Sequence, residues 1–445
     1  MIHAFHVLLI LLIFPLHLKF TLKMKIRFYF TLLFQVHLKI FYWPIYLLYV
    51  MAAYDVCKLA KETRFSEELI SYLSKFLGFS KTSSIISALI HPPRFYSIRV
   101  NTLKTSVEEV YKSLCEKNIE TVIHPILDDV LLIRVRGPFE IEVQGKIVVA
   151  DKKAAESVYM GADLYAPGVI SANGVKKSDF VTIVDENGFP VANGVAVQSE
   201  FDILNQRRGL AVNVVRSRYQ SVSIRSLDEY ISGKIYEQNI PAILTSIILE
   251  PTPHDVIVDM CAAPGGKTTH IAQLTFNKAK IYAFDNSKSK ISKLIENINR
   301  LGVRNVNVIF SDSRYLHIDY PFLKADKVLL DPPCSALGVR PKLFEYKSVR
   351  DIMACAKYQI QFFKSAVEIL KKGGVLVYST CTITPDENEV IVKHALENFP
   401  LELDKQILYI GTQGLNMLQG SNLLQRFYPD EHDTPGYFIA KFIKV

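Results

Sequence analysis

At 445 residues, with 49% hydrophobic and 22% charged side chains, the chain is too long for one small module and too apolar for a disordered one, leaving room for two to four globular domains. The formal charge of +8 is uneven: residues 1–50 hold Lys19, Lys23, Lys25, Arg27 and Lys39 and no acid, so residues 51–445 carry only +3. A globally basic nucleic-acid binder is excluded, and any such binding must come from local patches.

In chain order, residues 7–16 and 40–53 are apolar runs interrupted by Pro15 and Pro44, each shorter than the ~20 residues that span a bilayer. Composition favours translated upstream sequence, with Met51 as the working start, over a membrane anchor. Six cysteines at 57, 115, 261, 334, 355 and 381 form no C-x-x-C pair, which argues against a zinc knuckle and a disulfide framework. A reducing, cytoplasmic setting without metal is expected, with Cys57, Cys115 and Cys355 read as small buried hydrophobes.

Leu69, Ile70, Leu73 and Phe76 recur at helical spacing before Gly78, a plausible C-cap. Residues 97–101 read as a strand, 106–117 as a helix and 129–135 as a strand, so 51–144 is a helical and small α/β lobe. From 145 to 222, short β-like runs punctuated by glycines suggest a small barrel. From 254 strands and helices alternate, the pattern of a doubly wound sheet with ligands at the carboxyl ends of its strands, making 223–445 the third domain.

The suspected chemistry falls at such ends. After the strand closing at Asp259, Cys261, Ala262, Ala263, Pro264, Gly265 and Gly266 turn into a helix at Lys267, and Asp285 closes the next strand, placed to accept from ribose hydroxyls. A nucleoside-containing cofactor follows; the spacing gives neither G-x-G-x-x-G nor a P-loop. Asp312, past the following strand, stands where an adenine contact is expected, with a turn-forming role as its alternative. The strand KVLLD ends in Asp331, and Pro332-Pro333 stiffen the exit towards Cys334. Cys381 follows the strand VLVYS and precedes a helix expected to start at Thr384, with Pro385 first and Glu387 completing a capping box; that N-terminus and a nearby cation would lower the thiol pKa. Carbon 5 of a pyrimidine becomes nucleophilic once a thiolate adds to carbon 6, so placed thiols in a methyl-donor fold point to cytosine chemistry.

CAAPGGKTTH, Asp285, Asp312, DPPCS and YSTCTITPDENE resemble the ordered motifs of the Nop/Sun family of RNA (cytosine-5) methyltransferases across 88–144 and 223–445. The segment GADLYAPGVIS at 161–171 is similar to a PUA domain, and insertion at this place is the arrangement of the PUA-containing sixth member of that family. The resemblance implies a class I methyltransferase Rossmann-like sheet, an RNA-recognition-like lobe and an inserted PUA barrel. It implies S-adenosylmethionine held by Cys261–Lys267, with Asp285 on its ribose, Asp312 near its adenine and Asp331 at the same pocket. By the same resemblance Cys381 attacks carbon 6, Cys334 assists proton removal and release, Asp331 hydrogen-bonds the cytosine, and Lys267 lies near cofactor and base. Implied substrates are cytosines of tRNA acceptor ends or messenger RNA hairpins, handled by a monomer.

The sequence departs from the family pattern at Pro332, Ala336, His254 and Ser178, the last three standing where glycine is usual. Two rival readings stay open: Cys334 as the nucleophile, or a catalytically idle RNA-binding scaffold. Lys152-Lys153, Lys176-Lys177, Arg207-Arg208, Arg216 and Arg218 offer phosphate contacts, and Tyr159, Tyr165 and Tyr219 are stacking candidates for which core packing is the plainer role.

Overall fold

A computed structural model describes residues 54–445, so the apolar, basic N-terminal segment and the reading of Met51 as the start lie outside the described residues. Ala60–Val445 make up one compact unit. Among the described residues no helix is long and apolar enough to cross a membrane.

Helices α1 (Glu67–Leu77) and α2 (Phe79–Leu89) meet at Gly78, whose φ of 77° turns the chain between them. Leu69, Ile70 and Leu73 are buried, while Phe76 stays 40% exposed. The lobe follows as β1 (Phe95–Val100), α3 (Val107–Glu116), β2 (Thr121–Ile123) and β3 (Val130–Arg134). Ser106 caps α3 by accepting from the Glu109 amide at 3.2 Å.

The inserted segment comprises β4 (Lys146–Ala150), α4 (Lys152–Tyr159), β5 (Leu164–Tyr165), β6 (Val169–Ser171), β7 (Phe180–Val184), β8 (Pro190–Ala196), α5 (Glu200–Gln206) and β9 (Leu210–Ser217). Its sheet runs β5-β9-β8-β7-β4-β6. All six strands feed one core that includes Val148, Leu164, Val169, Ile183, Val191 and Val212. The chain enters and leaves side by side, Arg136 and Gln220 exchanging two backbone hydrogen bonds of 2.9 Å.

Beyond the insertion, β10 (Ile235–Glu237) returns to the lobe and pairs antiparallel with β1, giving the order β10-β1-β3-β2. The lobe sheet is therefore assembled from both sides of the insertion. Three residues carry no periodicity, so β10 is not legible from the sequence.

The large sheet contains β11 (Val256–Asp259), β12 (Lys280–Asp285), β13 (Val306–Phe310), β14 (Ala325–Leu330), β15 (Leu370–Thr380), β16 (Leu401–Leu403), β17 (Thr412–Gln413), β18 (Gln425–Phe427) and β19 (Tyr437–Lys444). Its path is β13-β12-β11-β14-β15-β19-β18-β17, with β16 on β19; the strands from β13 to β15 are parallel and β19 is antiparallel. Strand order reverses between β11 and β14, the switch point at which such sheets bind ligands.

Alternation along each strand packs two helical layers. Val258, Phe284, Val328 and Leu376 face Phe362, Phe363 and Ala366 of α9 (Val349–Ile369) and Ile391 of α10 (Glu389–Asn398). Ile257, Ile281, Leu329 and Val377 face Leu244 of α6 (Ile240–Ile248), Ile271 of α7 (Gly266–Leu274) and Leu294 of α8 (Lys288–Leu301). One cysteine expectation is corrected: Cys115 is exposed, and Cys57 and Cys355 are only half-buried.

Candidate active site

The loop from β11 to α7 is shaped by Gly265, whose φ is 109° and whose Cβ, if present, would lie 2.8 Å from Leu294 Cδ1. Phe284 O accepts from the Ala262 amide at 2.8 Å, tying the loop to β12. Cys261, Ala263, Asp285, Asp312, Asp331, Cys334 and Cys381 line a cavity of about 200 Å³. Ala262, Pro264, Gly266 and Lys267 line instead a larger cleft of about 870 Å³, to which Cys261, Ala263, Asp331 and Cys381 also contribute. Gly265 lines neither, acting through the turn it permits.

Asp285 Oδ1 accepts from the Ser287 amide at 3.0 Å. Asp312 lines the smaller cavity and caps the short turn Ser313–Tyr315, accepting from the Arg314 amide at 3.1 Å. The Arg314 guanidinium, 2.6 Å from Asp312 Oδ2, holds that carboxyl below its usual range. Two acids at adjoining strand ends beside a glycine turn suit a ligand rich in hydroxyl and amino groups. Cys261 is pushed well above the ordinary thiol range, by burial first and by the carboxylates around it, and remains a neutral wall.

Cys334 and Cys381 meet because β14 and β15 pair in parallel, Leu330 opposite Tyr378, and end together. Their Sγ atoms are 3.2 Å apart. The hydrogen bond from Cys334 lowers the Cys381 pKa against the opposing effect of burial, and Lys267 adds to the lowering. Cys334 moves well above the usual range, through that same hydrogen bond and through burial. The two shifts run in opposite directions, and Cys381 is the better thiolate of the pair.

Asp331 ties the site together. Its carboxylate pairs with the Lys267 ammonium through Oδ2 and accepts from Ser379 Oγ at 2.8 Å through Oδ1. Tyr437 OH donates to Ser379 Oγ at 3.2 Å. Burial would lower the Lys267 pKa, but Asp331 and Tyr437 outweigh it and the ammonium is held well above its ordinary value.

The expected capping box after Cys381 is not formed. Helix α10 begins at Glu389, and Asn388, with φ −120° and ψ −96°, supplies no side-chain cap. Thr384 Oγ1 donates to the Glu387 carboxylate at 2.8 Å, and that fully buried carboxylate turns inward to accept from the Ser335 amide at 2.8 Å and from Gln359 Nε2 at 3.0 Å. Glu387 fixes the loop bearing Cys334 rather than a helix end, so the cation that favours the Cys381 thiolate is Lys267 and not a helix terminus. Gln359, from the middle of α9, gave no signal in the sequence.

Two departures from the glycine pattern take the conformation that glycine would: Ala336 has φ 55° and Ser178 φ 72°, whereas His254 is not among the residues with positive φ. Pro332 lines the smaller cavity. In the inserted segment, Tyr159 and Tyr219 are buried against each other in a T-shaped pair 5.1 Å apart, whereas Tyr165 is 59% exposed. Lys152 pairs with Glu345 at 3.3 Å, and Arg207 donates to the carbonyls of Val169 and Pro167. Lys153, Lys176, Lys177, Arg208 and Arg216 face solvent, and Arg218 is half-buried. Among the described residues no group of three or more His, Cys, Asp or Glu is placed to hold a metal ion.

A family profile described as 16S rRNA methyltransferase RsmB/F matches residues 246–443, and a PUA domain profile matches residues 146–218. A tRNA (cytosine(72)-C(5))-methyltransferase of Pyrococcus horikoshii is 44% identical over 387 residues, covering 86% of this chain and 97% of that protein. The human tRNA (cytosine(72)-C(5))-methyltransferase NSUN6 is 33% identical, covering 86% of this chain and 96% of that protein. The crystal structure of NSun6 from Pyrococcus horikoshii with SFG superposes with a TM-score of 0.81 at 44% identity, covering 86% of this chain and 99% of that one.

Proposed function

Because the chain belongs to the Sun/Nop family of RNA cytosine-5 methyltransferases that carry a PUA domain, we propose that it methylates a cytosine at the acceptor end of a tRNA through a covalent bond between Cys381 and carbon 6. The observation that carries this reading is the 3.2 Å approach of two thiols at the ends of adjoining strands, beside the Lys267–Asp331 pair.

The Cys381 thiolate adds to carbon 6, and the electron pair of the 5,6 double bond moves towards carbon 5 and the ring. Asp331, kept in place by Lys267 and Ser379, hydrogen-bonds the pyrimidine. The Cys261–Lys267 loop would hold S-adenosylmethionine, with Asp285 to accept from its ribose and Asp312 near its adenine, and the bound cofactor would supply the methyl group. Once Cys381 is bonded to carbon 6, Cys334 gives up its own proton to solvent and its thiolate takes the proton from carbon 5; the electrons of that C–H bond re-form the 5,6 double bond and expel Cys381 as a thiolate. Position 72 is what the names of the tRNA relatives state for their own substrates, and at 33–44% identity the same target is the first to test.

We take 51–144 as the RNA-recognition-like lobe, 145–222 as the PUA domain that engages RNA, and 223–445 as the methyltransferase domain of a cytoplasmic, metal-independent monomer. With a tRNA transcript, Cys381→Ala is expected to lose methyl transfer and all adduct, while Cys334→Ala accumulates a covalent enzyme–RNA complex visible on a denaturing gel. Full turnover by Cys381→Ala overturns the assignment, and an adduct mapped to Cys334 with 5-fluorocytidine RNA favours the rival nucleophile. Failure to bind S-adenosylmethionine in calorimetry would favour the idle scaffold.

A further inference from the structure

The side-chain amide of Gln238 is buried without a partner. Its residue is only 7% exposed, yet neither Nε2 nor Oε1 has a hydrogen bond. Among the described side chains that bury an unpartnered polar atom, Gln238 alone lines the larger cleft, and none lines the smaller cavity. Buried amides are satisfied in folded proteins as a rule, so an exception in a binding cleft marks a group waiting for a ligand.

The backbone around it is fixed from both sides. Ser97 Oγ of β1 donates to Gln238 O at 2.7 Å, and the adjoining Asn239 caps α6 by accepting from the Ala242 amide at 2.9 Å. A Cβ on Gly266 would stand 3.6 Å from Gln238 Cδ, so the amide lies against the residue that precedes Lys267. It is thus a preorganised donor and acceptor, carried on the segment that joins the lobe sheet to the methyltransferase sheet.

We propose that Gln238 is a specificity-determining residue: its amide reads the edge of an RNA base held in the cleft that also contains Lys267, Asp331 and Cys381. An amide presents one donor and one acceptor in a plane, the complement of a base edge offering the reverse pair. A base must be unstacked to expose that edge to a protein cleft, and a cleft of about 870 Å³ has room for it. The cofactor is the poorer occupant, since the cavity containing Asp285 and Asp312 does not reach Gln238.

The inference rests on RNA cytosine methylation and is tested with the full chain. Methyl transfer is measured for wild type and Gln238→Met on a tRNA transcript, on one whose target cytosine is replaced by zebularine, which lacks the 4-amino group, and on transcripts altered at each flanking nucleotide. Gln238→Met should lower kcat/KM on the parent transcript at least about tenfold, while on the one transcript whose contacted edge is altered the two enzymes agree within about twofold. S-adenosylmethionine affinity by calorimetry should be unchanged. Equal loss on every transcript, no loss, or a parallel fall in cofactor affinity overturns the proposal; if Gln238→Met is unstable, Gln238→Glu takes its place. Should wild type transfer no methyl to any transcript, the methylation reading fails separately, and filter binding of the same RNA panel decides for or against Gln238.

Discussion

Two sulfur atoms at 3.2 Å would share a proton evenly were their surroundings alike, but Lys267 bears on Cys381 and the buried Glu387 carboxylate holds the Cys334 loop. A hydrogen bond donated to a thiolate stabilises the charged form, so removing the donor must raise the Cys381 pKa. Iodoacetamide labelling of Cys381 against pH is therefore expected to inflect below that of an ordinary free thiol in wild type and to move upward in Cys334→Ala. An inflection that stays put in Cys334→Ala would mean the neighbouring thiol does not set it. Ala336 shows how tightly this loop is held: it keeps a positive φ without being glycine, two residues before Gly338, whose N–H donates to Cys381 O at 3.0 Å. A Cβ at Gly338 would come within 2.0 Å of Gly436 O, so the loop is clamped between Cys381 and the start of β19.

The segment that leads from Cys381 into α10 is anchored by an ion pair with both side chains fully buried, Arg426 of β18 and Glu389 of α10. Arg426 Nε donates to Glu389 Oε1 at 2.6 Å and its NH1 donates to Ile383 O at 3.0 Å, while Glu389 Oε1 also accepts from the Leu415 amide at 2.9 Å. Removing one partner leaves the other charge stranded in the core. Glu389→Ala should destabilise the protein by about 3–5 kcal/mol, read from the urea midpoint, and adding Arg426→Met should recover part of that loss. An additive double variant would show that the two charges do not depend on one another. Glu389 closes the motif YSTCTITPDENE, but the sequence does not name its partner, because Arg426 lies 37 residues further along the chain.

Across the full fold, the inserted segment is a detour between two stretches that the isolated bridge of Arg136 and Gln220 already joins. Phe139 N donates to Arg218 O at 2.7 Å where the chain goes in and comes out. Replacing residues 140–217 with a short glycine linker should leave a protein that folds and binds S-adenosylmethionine with affinity within a few-fold, but whose RNA affinity in filter binding falls at least about tenfold. Leu343 and Phe344, which pack into the core of the insertion, would be uncovered, so a lower melting temperature is expected. Retained RNA affinity would place the main RNA-binding surface on the lobe and the catalytic domain.

Local signals were enough to read the alternation of strands and helices in the doubly wound sheet, the cofactor turn and the positions of both thiols. Alternating apolar runs, glycine at the turn and Asp-Pro-Pro-Cys at a strand end are each legible within about ten residues. The family resemblance marks Ala336 and Ser178 as places where glycine is missing, and the backbone there keeps glycine's geometry. Everything that depends on partners far apart in the chain waited for the fold. The return of β10 to the lobe sheet, the inward turn of Glu387 that cancels the expected helix cap, the Arg426–Glu389 pair and the unpartnered amide of Gln238 arise from residues that meet only after the chain has folded. Hydrophobic periodicity records which face of an element is buried; it does not record which buried polar group will find a partner.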